Sequence, residues 1–166
     1  MLKRETSGDA AADALERAVE EARRAVRRRA ALSAGMSLVP VPGLDAAADA
    51  AALLDMMRAV NDAFRLSPEQ IARLDTERRV ATMRAVDMTG ALFAGRVVSQ
   101  GLVLVALKQL GLRWAGSKTA KWIPVAGQTA AAALSYAAFC RLGDAHIAEC
   151  VAVRERVTAL LGHERR

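Results

Sequence analysis

Aromatic residues are scarce in this 166-residue chain: three phenylalanines, two tryptophans and one tyrosine, 4% in all. Hydrophobic residues nevertheless make up 53%, so the core has to be built from Ala, Leu, Val and Met. Alternating strand-like runs are absent, and alanine has the highest helix propensity and lets helices approach closely. The expectation is an all-α fold, a bundle of five to seven helices built from two αα-hairpins. With two histidines and two cysteines, no Ser–His–Asp or Cys–His arrangement is legible. The reading is therefore not an enzyme, with no cofactor. Cys140 and Cys150 give no disulfide framework and read as reduced core residues of a cytosolic protein. The length suits one domain over residues 1–166, with 1–8 disordered. The first residues lack an apolar core and do not read as a signal peptide.

Acidic residues are missing from a long window. From Met88 to Gly143 there is no Asp or Glu, while Arg96, Lys108, Arg113, Lys118, Lys121 and Arg141 lie inside it. The whole formal net charge of +6 thus resides there. Trp114, Trp122 and Tyr136 fall in the same window. Basic residues among amphipathic aromatics suit an anionic membrane surface. They also suit nucleic-acid phosphates or a plainly solvated basic face.

Of the four prolines, three belong to two copies of one short unit. Residues 39–43 read Val-Pro-Val-Pro-Gly and residues 123–127 read Ile-Pro-Val-Ala-Gly. Proline removes a backbone donor and drives its predecessor out of the α region, and glycine tolerates the turn that follows. Each copy is expected to form the tip of an αα-hairpin. Both tips are apolar where loops are normally polar.

Along the chain, a first helix is expected to start at Ser7 or Asp9. Leu15, Val19, Ala22 and Val26 form its apolar stripe, and Glu16, Glu20, Arg23 and Arg27 another face. Arg27-Arg28-Arg29 reads as a solvated edge more readily than as a nucleic-acid patch. A second helix over Leu44–Phe64 carries the stripe Leu53, Met57, Val60 and Phe64. Asp55, Arg58 and Asp62 share its polar face. Asp49 falls inside the apolar sector, which makes it a buried polar candidate, although an acid in the first turns also suits the helix dipole. Ser67-Pro68-Glu69-Gln70 is the clearest helix start, opening a helix with Ile71, Leu74 and Ala81. A long helical segment is expected through Met83, Val86, Gly90, Phe93, Val97, Gly101 and Leu104. Its glycines, with Gly95, would permit close backbone packing. Leu142-Gly143-Asp144 reads as a break and a new cap, before a last helix with Ile147, Cys150, Val151, Val157 and Leu161.

Chemical motifs are weak. Gly111-x4-Gly116-Ser117-Lys118-Thr119 departs from a phosphate-binding loop because Ser117 separates the lysine from the second glycine. His146 and Cys150 are four residues apart on a helix, but two ligands make no metal site. The charge-free span Trp122–Cys140 has nearly the length needed to cross a membrane. Pro124, Gly127 and the weak hydrophobicity of alanine argue against insertion.

Several segments resemble a known family: Leu38-Val-Pro-Val-Pro-Gly-Leu-Asp45, Phe64-Arg-Leu-Ser-Pro-Glu-Gln-Ile71, Lys121-Trp-Ile-Pro-Val-Ala-Gly-Gln128, Ser135-Tyr136-Ala137 and Gly143-Asp-Ala-His-Ile-Ala-Glu-Cys150. They are similar to the helical domain of unknown function appended to bacterial GTPases, and to the C-terminal helical region of immunity-related GTPases. The resemblance covers residues 32–153. It implies an all-α domain working beside a GTPase at membranes. No G-domain motif is present, so nucleotide hydrolysis does not carry over. The leading expectation is a non-enzymatic module associating with membrane and a GTPase partner, cytoplasmic and at the inner face of the membrane. Its contacts would be Val39, Pro40, Val41 and Pro42 at the first tip and Ile123, Pro124 and Val125 at the second, with Arg113, Trp114, Lys118, Lys121 and Trp122 as a collar. The second tip is the better membrane candidate. Three other classes remain. A soluble interaction or homo-oligomerisation bundle would bury both tips, and an integral hairpin would resist alkaline extraction. A nucleic-acid binder would show steep salt dependence, but no reading motif supports one.

Overall fold

A computed structural model describes residues 2–36, 45–91, 94–95 and 126–163, including side chains other than those of 2–8, 36, 45–50, 126–131 and 134. The fold is all-α. Helix α1 spans Leu2–Met36, α2 Asp45–Ala63, α3 Pro68–Ala72, α4 Thr76–Thr89 and α5 Ala126–His163. No strand occurs among the described residues. Among them, too, no helix is long and apolar enough to cross a membrane.

The core is assembled from the stripes that helical periodicity demands. Ala22, Val26 and Ala30 of α1 meet Leu53, Met56, Met57 and Val60 of α2 and Ile147, Cys150 and Val153 of α5. Leu15 and Val19 pack at its edge. Glu16, Glu20, Arg23 and Arg27 are exposed, as are Asp55, Arg58 and Asp62. Helix α5 packs against α1, α2 and α4, and α1 also against α2. Arg29, the last of the arginine run, ties α1 to Asp55 of α2. That pair is largely solvent-exposed and contributes at most about 1 kcal/mol.

Four local expectations are corrected. Helix α1 begins at Leu2, upstream of Ser7 and Asp9. No proline precedes them to stop it, and Gly8 costs only about 1 kcal/mol inside a helix. The helix expected through Ile71, Leu74 and Ala81 is two. Helix α3 ends at Ala72, and Asp75 caps α4 by accepting a 2.9 Å hydrogen bond from the Arg78 backbone N–H. The Ser67 start itself holds: Pro68 opens α3, and the Ser67 N–H donates to Gln70 Oε1 at 3.2 Å.

The long segment through Gly90 also ends early, because Gly90 adopts φ 64° as the left-handed cap of α4. Gly95, likewise at φ 69°, sits in a turn rather than a helix. A Cβ there would approach Val86 Cγ2 to 2.8 Å. Finally, Leu142-Gly143-Asp144 is no break, since α5 runs through it. Gly143 is buried against α1, and a Cβ on it would lie 2.5 Å from Val26 Cγ1 and 2.7 Å from Cγ2. The glycine is there for close helix approach, at a tolerable cost in propensity.

These contacts set the helix directions. Val26 meets Gly143, while Leu15 shares a cleft with Val157 and Leu161, so α1 and α5 are antiparallel. Arg29 meets Asp55 and Leu15 shares that cleft with Phe64, so α1 and α2 are antiparallel too. The end of α1 at Met36 and the start of α5 at Ala126 therefore lie toward one end of the bundle, and the cleft lies toward the other.

Candidate functional site

All of the sequence-derived contact residues fall beyond what the structure describes. Val39, Pro40, Val41, Pro42, Arg113, Trp114, Lys118, Lys121, Trp122, Ile123, Pro124 and Val125 lie outside the described residues. Gly101 and the Gly111–Thr119 stretch do as well. Asp49 lies on α2, and its side chain is outside the described residues. Near the end of the bundle that holds Met36 and Ala126, Leu32 and Tyr136 are exposed apolar residues, 61% and 36% accessible. Arg27 lies within electrostatic reach of Tyr136.

Two constellations emerge, one partly marked by local sequence spacing and one not. The first is buried. His146 and Cys150, four residues apart on α5, converge on Asn61 of α2. His146 Nε2 lies 3.1 Å from Asn61 Oδ1, and the Cys150 thiol donates to the same oxygen at 3.6 Å. Cys150 Sγ is 3.9 Å from Nε2, and His146 Nδ1 is 3.4 Å from Glu149 Oε2. Cysteine, histidine and asparagine are also the residue types of a thiol nucleophile with its base and orienting amide. Here the electrostatics run the other way. Burial, and then the Glu149 charge, push the Cys150 thiol well above its ordinary range, whereas a nucleophile needs a lowered pKa and access to solvent. All three side chains are at most 2% accessible. The arrangement works as a polar clasp between α2 and α5, and no buried side-chain polar atom among the described residues lacks a partner. Asn61 could have been found in the sequence: it is four residues after Met57, which puts a polar side chain on the apolar face of α2.

The second constellation is a cleft of about 650 Å³ at the opposite end of the bundle from Met36 and Ala126. Arg17 and Glu21 come from α1, Arg65 from the turn after α2, Arg78 from α4 and Arg154 from α5. Desolvation, and then the neighbouring charge of Arg65, push the Arg154 guanidinium below its ordinary value. Arg78 is paired with Asp75, Nε to Oδ2 at 3.5 Å. Arg17, Arg65 and Arg154 take part in no ion pair among the described residues. Phe64 and Leu66 form the floor and are almost fully buried; Leu15, Leu74, Val157 and Leu161 are half-buried around it.

Arg65 is held in an uncommon conformation. Its φ is 57°, and it is the sole non-glycine residue with positive φ among the described residues. The Leu66 N–H donates to the Asn61 carbonyl at 2.8 Å and the Arg65 N–H to that of Asp62 at 3.1 Å. This is the Schellman closure of a helix, whose left-handed residue is usually glycine. The four arginines come from four separate parts of the chain, so no sequence spacing marks the cleft.

No family model, no curated protein and no solved structure matches the chain.

Proposed function

We propose that this protein is a non-enzymatic helical module that associates peripherally with an anionic membrane surface and with a separate GTPase partner. The architecture assumed is a bundle of five to seven helices built from two αα-hairpins with Pro-Gly tips. The observation that carries the reading is topological. Met36 and Ala126, from which the two apolar tip segments issue, lie toward the same end of the bundle. Two tips reached from one end can address a single surface. The Trp-bearing, acid-free window that contains the second tip supplies the charge such a surface calls for. The buried Cys150 thiol, pushed upward rather than activated, favours a non-enzymatic role. The resemblance to GTPase-appended helical domains supports the partner, with the protein in the cytoplasm at the inner face of the membrane.

Flotation with liposomes containing anionic lipid tests this. Wild type is expected to float, and a variant with Trp114, Trp122, Lys118 and Lys121 all changed to alanine to remain in the load. Both proteins staying unbound would sink the membrane part of the reading. Elevated salt should weaken flotation, since the basic collar acts through screened charge.

A further inference from the structure

We propose that the arginine-lined cleft at the far end of the bundle is a binding site for a small amphiphilic anion, a phosphate monoester carried on a single apolar chain. The charge comes first. Four guanidiniums and one carboxylate, that of Glu21, line the cleft, and Asp75 pairs with just one of the four. A guanidinium fork matches phosphate oxygens with paired hydrogen bonds. Several forks lining one cleft favour a dianion over a single carboxylate. The floor of Phe64 and Leu66 and the half-buried leucines around it fit an apolar chain and offer nothing to a bare ion. The volume of about 650 Å³ lies in the range of sites for single small molecules.

The backbone supplies an independent argument. Position 65 closes α2 in the left-handed region, where glycine is the unstrained choice. An arginine there sacrifices stability, and its side chain lines the cleft. Strain retained at such a position points to a role for the side chain. Arg154 adds to this, since a bound anion would offset both its desolvation and the repulsion from Arg65.

Calorimetric titration of the full chain with octyl phosphate below its micelle concentration tests the site. Inorganic phosphate, octanoate and octanol serve as partial ligands, and Arg65→Gly and Arg154→Gln as variants. Octyl phosphate should bind at least about tenfold more tightly than each partial ligand. Each variant should weaken it by about tenfold or more, the scale of losing hydrogen bonds to a charged group. Arg65→Gly should do so with a Tm equal to or above wild type, which separates loss of a ligand contact from loss of fold. The proposal is overturned if octyl phosphate does not bind, if octanoate or octanol binds as well, or if Arg65→Gly leaves the affinity unchanged. None of these outcomes depends on the tip segments, so this site and the membrane reading can fail separately.

Discussion

Arg65 and Cys150 each carry a consequence out of proportion to their size. An L-residue in the left-handed region gives up about 1–2 kcal/mol relative to an ordinary conformation. Arg65→Gly should therefore raise stability, by about 1 kcal/mol or less once the greater freedom of glycine in the unfolded chain is counted. Urea melts would read the change directly. At Cys150, burial and Glu149 hold the thiol neutral in the fold. In the unfolded chain it ionises near its ordinary value, about 8.5. Its neutral-state preference is fully accommodated below that pH. Above it the unfolded form gains by ionising, so stability falls as pH rises, with a limiting slope of about 1.4 kcal/mol per pH unit. Between pH 8 and pH 10, the Tm advantage of wild type over Cys150→Ala should shrink. A constant gap would show that the thiol ionises as readily in the fold. The clasp that buries this thiol was only half legible: the His146–Cys150 spacing is local, but Asn61 lies on another helix.

At the scale of elements, glycine decides two boundaries in opposite senses. The sequence pattern sets Gly90 inside a helical stripe and Gly143 at a break with a new cap, and the structure reverses both. Gly90 ends α4 because its φ of 64° suits no other residue as well. Gly143 lies inside α5 because Val26 of α1 occupies the space a side chain would need. Gly143→Ala should therefore destabilise, although alanine gains about 1 kcal/mol of propensity. Val26 is β-branched and stiff in χ1, so the helices must separate, at about 1–3 kcal/mol. Combining Gly143→Ala with Val26→Ala should cost less than the sum of the two single changes, and simple additivity in a double-mutant cycle would contradict the contact. Asp75→Ala should cost about 1 kcal/mol through loss of the α4 cap. The Ser67-Pro68-Glu69-Gln70 start was readable because capping chemistry is local. The split at Asp75 leaves no such trace, because Ile71, Leu74 and Ala81 continue at helical spacing across it.

For the whole molecule, the antiparallel pairing of α1 with α5 separates two ends of different chemistry. Toward one lie Met36 and Ala126 with the exposed Leu32 and Tyr136. At the other lies the cleft with its four arginines. The two ends should therefore be separable by mutation. On the proposed membrane reading, changing Trp114, Trp122, Lys118 and Lys121 to alanine should abolish liposome flotation and leave octyl phosphate affinity within about twofold, the independence expected of sites that share no residues. Arg65→Gly should do the reverse. If either variant impaired both readouts while its Tm was maintained, the two ends would be coupled.

Helical class, the core stripes of α1 and α2, and the Ser67 helix start were all determined by the sequence alone. Each depends on residues within a few positions of one another, where helical periodicity and capping chemistry operate. The repeated Pro-Val-x-Gly unit and the acid-free window are likewise sequence facts, and the membrane reading draws on both. Only the tertiary structure decided that Gly143 continues a helix and that Asn61 completes a buried clasp. It alone gathered Arg17, Arg65, Arg78 and Arg154 around one cleft. Those outcomes depend on which helix faces which, and that is settled by packing complementarity across long chain separations, which leaves no periodic trace in the sequence.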